Sequence, residues 1–193
     1  SKKNKILIGK ISKDLGNNFN LQNIMVAYIC CKIFNIPNKI FKHGLKNFKG
    51  LPYRSQIIYQ DKKVRIINDS KATNIDATLN ILNSLKKENV YLIVGGRAKD
   101  KNFNNLCKYK KLIKKLYIYG ESSKLIYNQV KDNINSKIYS NLKKIISTVY
   151  KDTLNSKVKL TILLAPACTS FDQYSNFEER GLHFNKLVKN KFN

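Results

Sequence analysis

Three short stretches of this sequence gather the side chains suited to polar chemistry. Residues 68–74 read Asn-Asp-Ser-Lys-Ala-Thr-Asn and set a carboxylate, an ammonium, two hydroxyls and two amides within one loop's length. Such a loop can seat an anion on its hydroxyls and on free backbone N–H groups at the start of a following helix, while Asp69 accepts from a ribose or an amine. The same residues also suit an ordinary helix start, with Ser70, Thr73 or Asn74 as the cap. Residues 95–99, Gly-Gly-Arg-Ala-Lys, place a lysine behind two glycines. Glycine lets backbone approach a ligand closely and Lys99 is a natural partner for a carboxylate or phosphate, although a tight turn uses the same glycines. Residues 166–181, Pro-Ala-Cys-Thr-Ser-Phe-Asp-Gln-Tyr-Ser-Asn-Phe-Glu-Glu-Arg-Gly, crowd hydroxyls, acids and aromatics together. Cys168 has no histidine near it to act as a base, so a thiol nucleophile is not expected.

The elements around these stretches follow from periodicity. Apolar residues at helical spacing over 21–34, stopped by Pro37, predict one amphipathic helix, and a second short helix is expected over 38–48. Two short strands are expected at 55–60 and 64–67, joined by Asp61-Lys62-Lys63. Further strands at 90–94, 116–119, near 138 and at 159–165 alternate with helical patterns at 76–86, 103–114, 123–131, 142–153 and 177–188. That alternation predicts an α/β domain with a mostly parallel sheet and helices on both faces. In such sheets ligands bind where strands end, and each of the three polar stretches begins at the carboxyl end of an expected strand.

Composition narrows the class. A chain of 193 residues with 42% hydrophobic side chains can bury a sizeable core. No apolar run reaches the ~18–20 residues of a membrane span, and the four cysteines form no Cys-x-x-Cys pair, so reduced thiols in a cytoplasmic protein are expected. Cys30 and Cys31 lie in an apolar helical stretch and read as small buried hydrophobes. The formal charge of +25 rests mostly on lysines scattered through nearly every segment. A solvated basic surface accounts for that distribution; the alternative is a basic α/β module that binds RNA.

The three stretches, in this order, resemble the Mur ligase family of amide-forming enzymes, in its D-glutamate-adding branch. The stretch at 166–181 is the most specific of them. Phe19-Asn20-Leu21-Gln22-Asn23 is similar to the family's His-Asn-x-x-Asn, and Gly50-Leu51-Pro52-Tyr53-Arg54 to its Gly-Leu-Pro-His-Arg, so the likeness runs from about residue 15 to the end. Phe19 and Tyr53 stand where the family usually has histidine, and Ala165 where it usually has serine.

The resemblance implies a Rossmann-like carboxy-terminal Mur ligase domain over 51–193, preceded over 1–50 by the helical tail of a central ATPase domain. It implies an ATP- and Mg²⁺-dependent ligase of peptidoglycan-precursor synthesis. Such an enzyme converts the terminal carboxylate of UDP-N-acetylmuramoyl-L-alanine to an acyl phosphate, which the amine of D-glutamate attacks to give an amide, ADP and phosphate. Carried over by position, Thr73, Lys99, Ser170, Phe171 and Phe177 are the expected D-glutamate contacts, Phe171 through its backbone. Arg54, Asp69, Lys71 and Asn20 are expected to face the nucleotide. Other Mur-type and folylpolyglutamate-type ligases share the general plan and are the alternative within the superfamily. The sequence has no Gly-x-x-x-x-Gly-Lys-Ser/Thr loop for ATP phosphates, so a fragment of a longer protein is expected, monomeric and inactive alone.

Overall fold

The computed structural model describes residues 18–48, 50–85 and 88–192, with side chains from Asn23 onward. The chain packs as two compact units, Ser1–Leu51 and Pro52–Asn193.

In the first unit, α1 (Asn18–Ile33) and α2 (Asn38–Asn47) form a helical pair. α1 ends where Asn35 takes a left-handed φ of 55°, which returns the Ile36 N–H to the Cys31 carbonyl at 2.7 Å. The Tyr28 and Phe41 rings meet across the pair at 5.2 Å. The expected amphipathic stripe is not what α1 presents. Ile24 is buried, but Met25, Val26, Ile29 and Ile33 are exposed, so apolar residues occupy most of the circumference. Cys30 is exposed and Cys31 only partly covered, against the expectation of buried thiols.

The second unit is built on a six-stranded sheet in the order β1-β2-β6-β3-β4-β5. β1 (Gln56–Gln60) and β2 (Val64–Asn68) form an antiparallel hairpin, turned by Asp61, whose carboxylate accepts the N–H groups of Lys63 and Val64. From β2 onward every pairing is parallel: β2 with β6 (Leu160–Leu164), β6 with β3 (Val90–Gly95), β3 with β4 (Ile113–Tyr119), and β4 with β5 (Ser136–Ile138). Successive side chains on these strands point to opposite faces. Ile67, Leu92, Val94, Leu116 and Ile118 pack under α3 (Ile75–Ser84) and α4 (Ser123–Val130). Ile66, Ile93, Tyr117, Ile162 and Leu164 pack under α5 (Leu142–Leu154) and α6 (Phe177–Phe192). Each fully buried Leu, Ile or Val contributes roughly 1.5–3 kcal/mol over its exposed state, so this two-sided burial drives the fold. At the amino ends of the strands Glu88 pairs with Arg65 and accepts the Thr161 hydroxyl, tying β2 to β6.

The sequence reading fails at 103–114. Instead of a helix the chain makes a short 3₁₀ turn, Asn104–Tyr109, and then enters β4 at Ile113. The apolar pair Phe103 and Leu106, three residues apart, fits either form. The local bonds start a tight turn, since Asn102 accepts the Asn104 N–H and Gln129 accepts that of Phe103. β3 then takes Ile113 as the partner of Val90, and that long-range pairing overrides the helical spacing.

Candidate functional site

Strand order decides which loops meet. β2, β6, β3 and β4 are successive neighbours, so the segments leaving their carboxyl ends, 68–74, 165–176, 95–100 and Gly120, share one edge of the sheet. These segments also pair with one another. Arg97 and Thr169 exchange backbone hydrogen bonds at 3.1 and 2.9 Å, the Thr169 hydroxyl adds a third to the Arg97 carbonyl at 2.8 Å, and the Gly95 N–H donates to the Pro166 carbonyl at 2.9 Å.

The two glycines of 95–99 are required by the protein's own backbone. A Cβ on Gly95, at φ +139°, would lie 1.9 Å from the Tyr119 carbonyl oxygen, and one on Gly96, at φ +130°, would lie 2.1 Å from that of Thr169. The close approach expected for a ligand is therefore taken by neighbouring strands and loops. Ala167, buried at a left-handed φ of 57°, makes the turn that lets 166–170 fold back onto these glycines.

Beneath the loops lies a buried polar network centred on Arg180, fully enclosed in the first turns of α6. Its Nε donates to Ser70 Oγ at 2.9 Å, Nη2 to the Ser70 carbonyl at 2.8 Å, and Nη1 to the Cys168 carbonyl at 3.1 Å and, at 3.5 Å, to that of Gly95. The Ser70 hydroxyl in turn donates to the Phe177 carbonyl at 2.8 Å. Asn68 completes the clamp, accepting the Ser70 N–H and donating from Nδ2 to the Gly181 carbonyl at 2.9 Å and to Asn185 at 2.7 Å. Reading the sequence placed Arg180 within the most specific of the three stretches and gave it no role. The signal available was Gly181 beside it, where a Cβ would lie 2.4 Å from the Tyr53 ring.

Around this network stand the residues singled out from sequence. Lys99 is exposed, and among the described residues the ion pairs are Arg65–Glu88, Arg97–Glu121 and Lys115–Asp152, so neither Lys99 nor Lys71 is ion-paired, while Arg54 lies close enough to Asp69 for its charge to act on that carboxyl. Lys71 lies 4.0 Å above the Phe177 ring, which brings one residue expected at the nucleotide against one expected at the amino acid. Thr73 is half-buried, Ser170 is buried, and Phe171 is exposed at the crest of its loop. The Ser170 carbonyl accepts the N–H groups of Gln173 and Tyr174, which turns the chain toward α6. Asp69 accepts the Ser55 hydroxyl at 3.3 Å. Burial drives its carboxyl up to about 6, against the hydrogen bonds from Ser55 and the nearby charge of Arg54. Tyr53, which takes the histidine's place, adopts a left-handed φ of 60° and accepts the Lys71 N–H on its carbonyl. The side chains of Asn20 and Phe19 lie outside the described residues.

The start of α3 is already committed. Asn74 accepts the Ala77 N–H at 2.9 Å and Asp100 accepts that of Ile75 at 3.0 Å, so two of the backbone donors expected for an anion are used internally. Asn74→Ala is expected to lower unfolding free energy by about 1 kcal/mol, read from the urea midpoint, as for other caps. Cys168 is buried and its thiol is pushed up to about 12 by that burial, which leaves it inert as a nucleophile near neutrality. Among the described residues no three His, Cys, Asp or Glu side chains converge as a metal site. None of the described helices is long and apolar enough to cross a membrane.

Known proteins resemble this chain in sequence and in fold. Residues 53–168 match the family model described as Mur ligase, glutamate ligase domain. The chain is 36% identical to the UDP-N-acetylmuramoylalanine--D-glutamate ligase of Prochlorococcus marinus, over 89% of the chain and 37% of that protein. It is 37% identical to the enzyme of the same name from Buchnera aphidicola, over 97% of the chain and 42% of the relative. The chain therefore spans less than half the length of the relatives it matches. Among solved structures, MurF from Acinetobacter baumannii superposes with a TM-score of 0.68 at 13% identity, over 90% of this chain and 38% of that one, which is a likeness of fold. With the model match covering more than half of its length, the chain belongs to the Mur ligase family.

Proposed function

We propose that this chain is the amino-acid-holding part of an ADP-forming ligase that joins D-glutamate to UDP-N-acetylmuramoyl-L-alanine. The observation that carries the reading is the convergence of Lys99, Lys71, Thr73, Ser170 and Phe177 around one sheet edge, with both lysines free of carboxylate partners among the described residues. An amino acid with two carboxylates needs fixed cations and hydroxyl donors so that its amine reaches the activated carbonyl in line. Lys99 supplies charge from one loop, Thr73 and Ser170 supply hydroxyls from two others, and Phe177 closes the side under Lys71. The names of the 36–37% identical relatives support D-glutamate over other amino acids.

The same reading places Arg54 and Lys71 toward nucleotide phosphate and Asp69 toward ribose, a donor and acceptor set that fits those groups. ATP supplies the phosphoryl group that activates the carboxylate. Mg²⁺ finds no ready cluster of ligands among the described residues. These 193 residues hold no Gly-x-x-x-x-Gly-Lys-Ser/Thr loop to cradle ATP phosphates, so the reading expects no phosphate release from ATP by the chain alone. The reading assigns the complete protein to peptidoglycan-precursor synthesis in the cytoplasm.

Ligand-observed NMR of the purified chain with D- and L-glutamate tests this function. Binding of the D enantiomer in preference to L, weakened at least ~10-fold by Lys99→Ala, is the expected result, a change of about 1.4 kcal/mol. The melting temperature should hold, because Lys99 is exposed and pairs with no described acid. Equal binding of both enantiomers, or D-glutamate binding indifferent to Lys99, would overturn the assignment.

A further inference from the structure

The parallel ladder leaves the carbonyls at its strand ends in want of donors, and at this edge a single side chain serves several of them. Arg180 reaches the Ser70 carbonyl and hydroxyl after β2, the Gly95 carbonyl at the end of β3 and the Cys168 carbonyl after β6. Each contact lies just upstream of residues of the proposed site: Ser70 precedes Lys71 and Thr73, Gly95 precedes Lys99, and Cys168 precedes Ser170 and Phe171. Arg180 is 0% exposed, and its described partners are carbonyls and a hydroxyl, with no carboxylate among them. Burying a guanidinium in this way is expensive, and the cost is offset by hydrogen bonds to acceptors that an apolar side chain of the same volume would leave unpaired. What an apolar side chain lacks is the rigid planar fork that fixes several acceptors at once.

We propose that Arg180 is the positioning residue of this site: one guanidinium, held out of water, sets the mutual spacing of the three loops that carry Lys71 and Thr73, Lys99, and Ser170 and Phe171. Through Ser70 it also sets the start of α6, since the hydroxyl that accepts from Nε donates to the Phe177 carbonyl. Arg180 touches no ligand itself. The inference rests on the D-glutamate reading only for its functional consequence; the coupling of the loops stands without it.

The test is Arg180→Lys in the whole 193-residue chain, which keeps the charge and loses the fork. Amide shifts are recorded by ¹H–¹⁵N NMR without ligand, and D-glutamate affinity is measured at a temperature where both proteins are fully folded. The expected result is a concerted shift at Lys71, Arg97 and Thr169 with Leu92 and Ile162 unchanged, together with at least a ~10-fold weaker Kd for D-glutamate. A side chain that merely fills space would lower the melting temperature and leave the affinity of the folded protein alone. Shifts confined to one loop, or an unchanged Kd where the wild type binds, would overturn the proposal. A wild-type chain that binds no D-glutamate would count against the functional reading, and the loop shifts alone would then decide the role of Arg180. If Arg180→Lys fails to fold, Ser70→Ala replaces it. A shift at Thr169 as well as at Lys71 then supports the coupling, and a shift at Lys71 alone refutes it.

Discussion

Gly95→Ala is expected to lower the unfolding free energy by about 3–5 kcal/mol, a large share of the roughly 5–15 kcal/mol of a native domain. Two costs add. The backbone at φ +139° lies in territory that only glycine occupies readily, at roughly 1–3 kcal/mol for another residue. The new methyl would also sit 1.9 Å from the Tyr119 carbonyl oxygen and 2.8 Å from its carbon, and overpacking of this kind costs about 1–3 kcal/mol. The obstacle is backbone, and Gly95 and Tyr119 are register partners in β3 and β4, so neither strand can step aside without breaking the ladder. Gly44, in α2, is the control: nothing stands within 4 Å of its Cβ, and alanine there should be neutral or stabilising by up to about 1 kcal/mol. Urea denaturation of both variants measures the difference, and a loss below about 1 kcal/mol at Gly95 would contradict the packing described.

Asp69→Asn is expected to stabilise the chain at pH 8 and to flatten its stability between about pH 4 and 6. Burial raises the Asp69 carboxyl from 3.8 to about 6 in the folded protein. Between those values the folded state holds a proton that the unfolded state has released, so the stability this group contributes is complete below about 4 and lost as pH rises through about 6. Ionised Asp69 therefore opposes folding at neutral pH, and asparagine removes that charge. The gain should reach up to about 2 kcal/mol, discounted for the partial exposure of the residue. Melting temperatures of the two proteins across pH 4–8 check it: parallel curves would mean that the Asp69 carboxyl is not raised. A carboxylate kept at a cost to stability beside Arg54 and Ser55 is what a ligand-facing role would require.

Much of this was legible in the chain. Val90 to Val94 is a continuous apolar run and Leu160 to Leu164 is one broken only by Thr161, as suits strands buried on both faces, and the alternation of such runs with helical patterns gave the mostly parallel α/β sheet. Other features were not local enough to read. The order that sets β6 between β2 and β3 depends on pairings across long sequence separations, and so does the entry into β4 at Ile113. Over 21–34 the helical spacing placed Ile24, Met25, Tyr28, Cys31, Ile33 and Phe34 on one apolar face, of which Ile24 is buried while Met25, Ile33 and Phe34 are exposed along with Val26 and Ile29. At the site, polar residue types marked the three loops, and the structure sets those loops side by side. Sequence could not show that Gly95 and Gly96 accommodate backbone rather than ligand, nor that Arg180, between two acids and a glycine, turns inward.

The central place of β6 also sets an order of assembly during synthesis. The hairpin of β1 and β2 and the pair β3 and β4 emerge early, but the strand that joins them arrives only with residues 160–164, and the Arg180 clamp later still. At about 5–20 residues per second the growing chain holds two unjoined sheet edges for some seconds, bare of the partner that covers both. Nascent chains ending before Leu160 are therefore the species most open to mispairing and to chaperone capture, and a translational pause just upstream of β6 would lengthen that exposure.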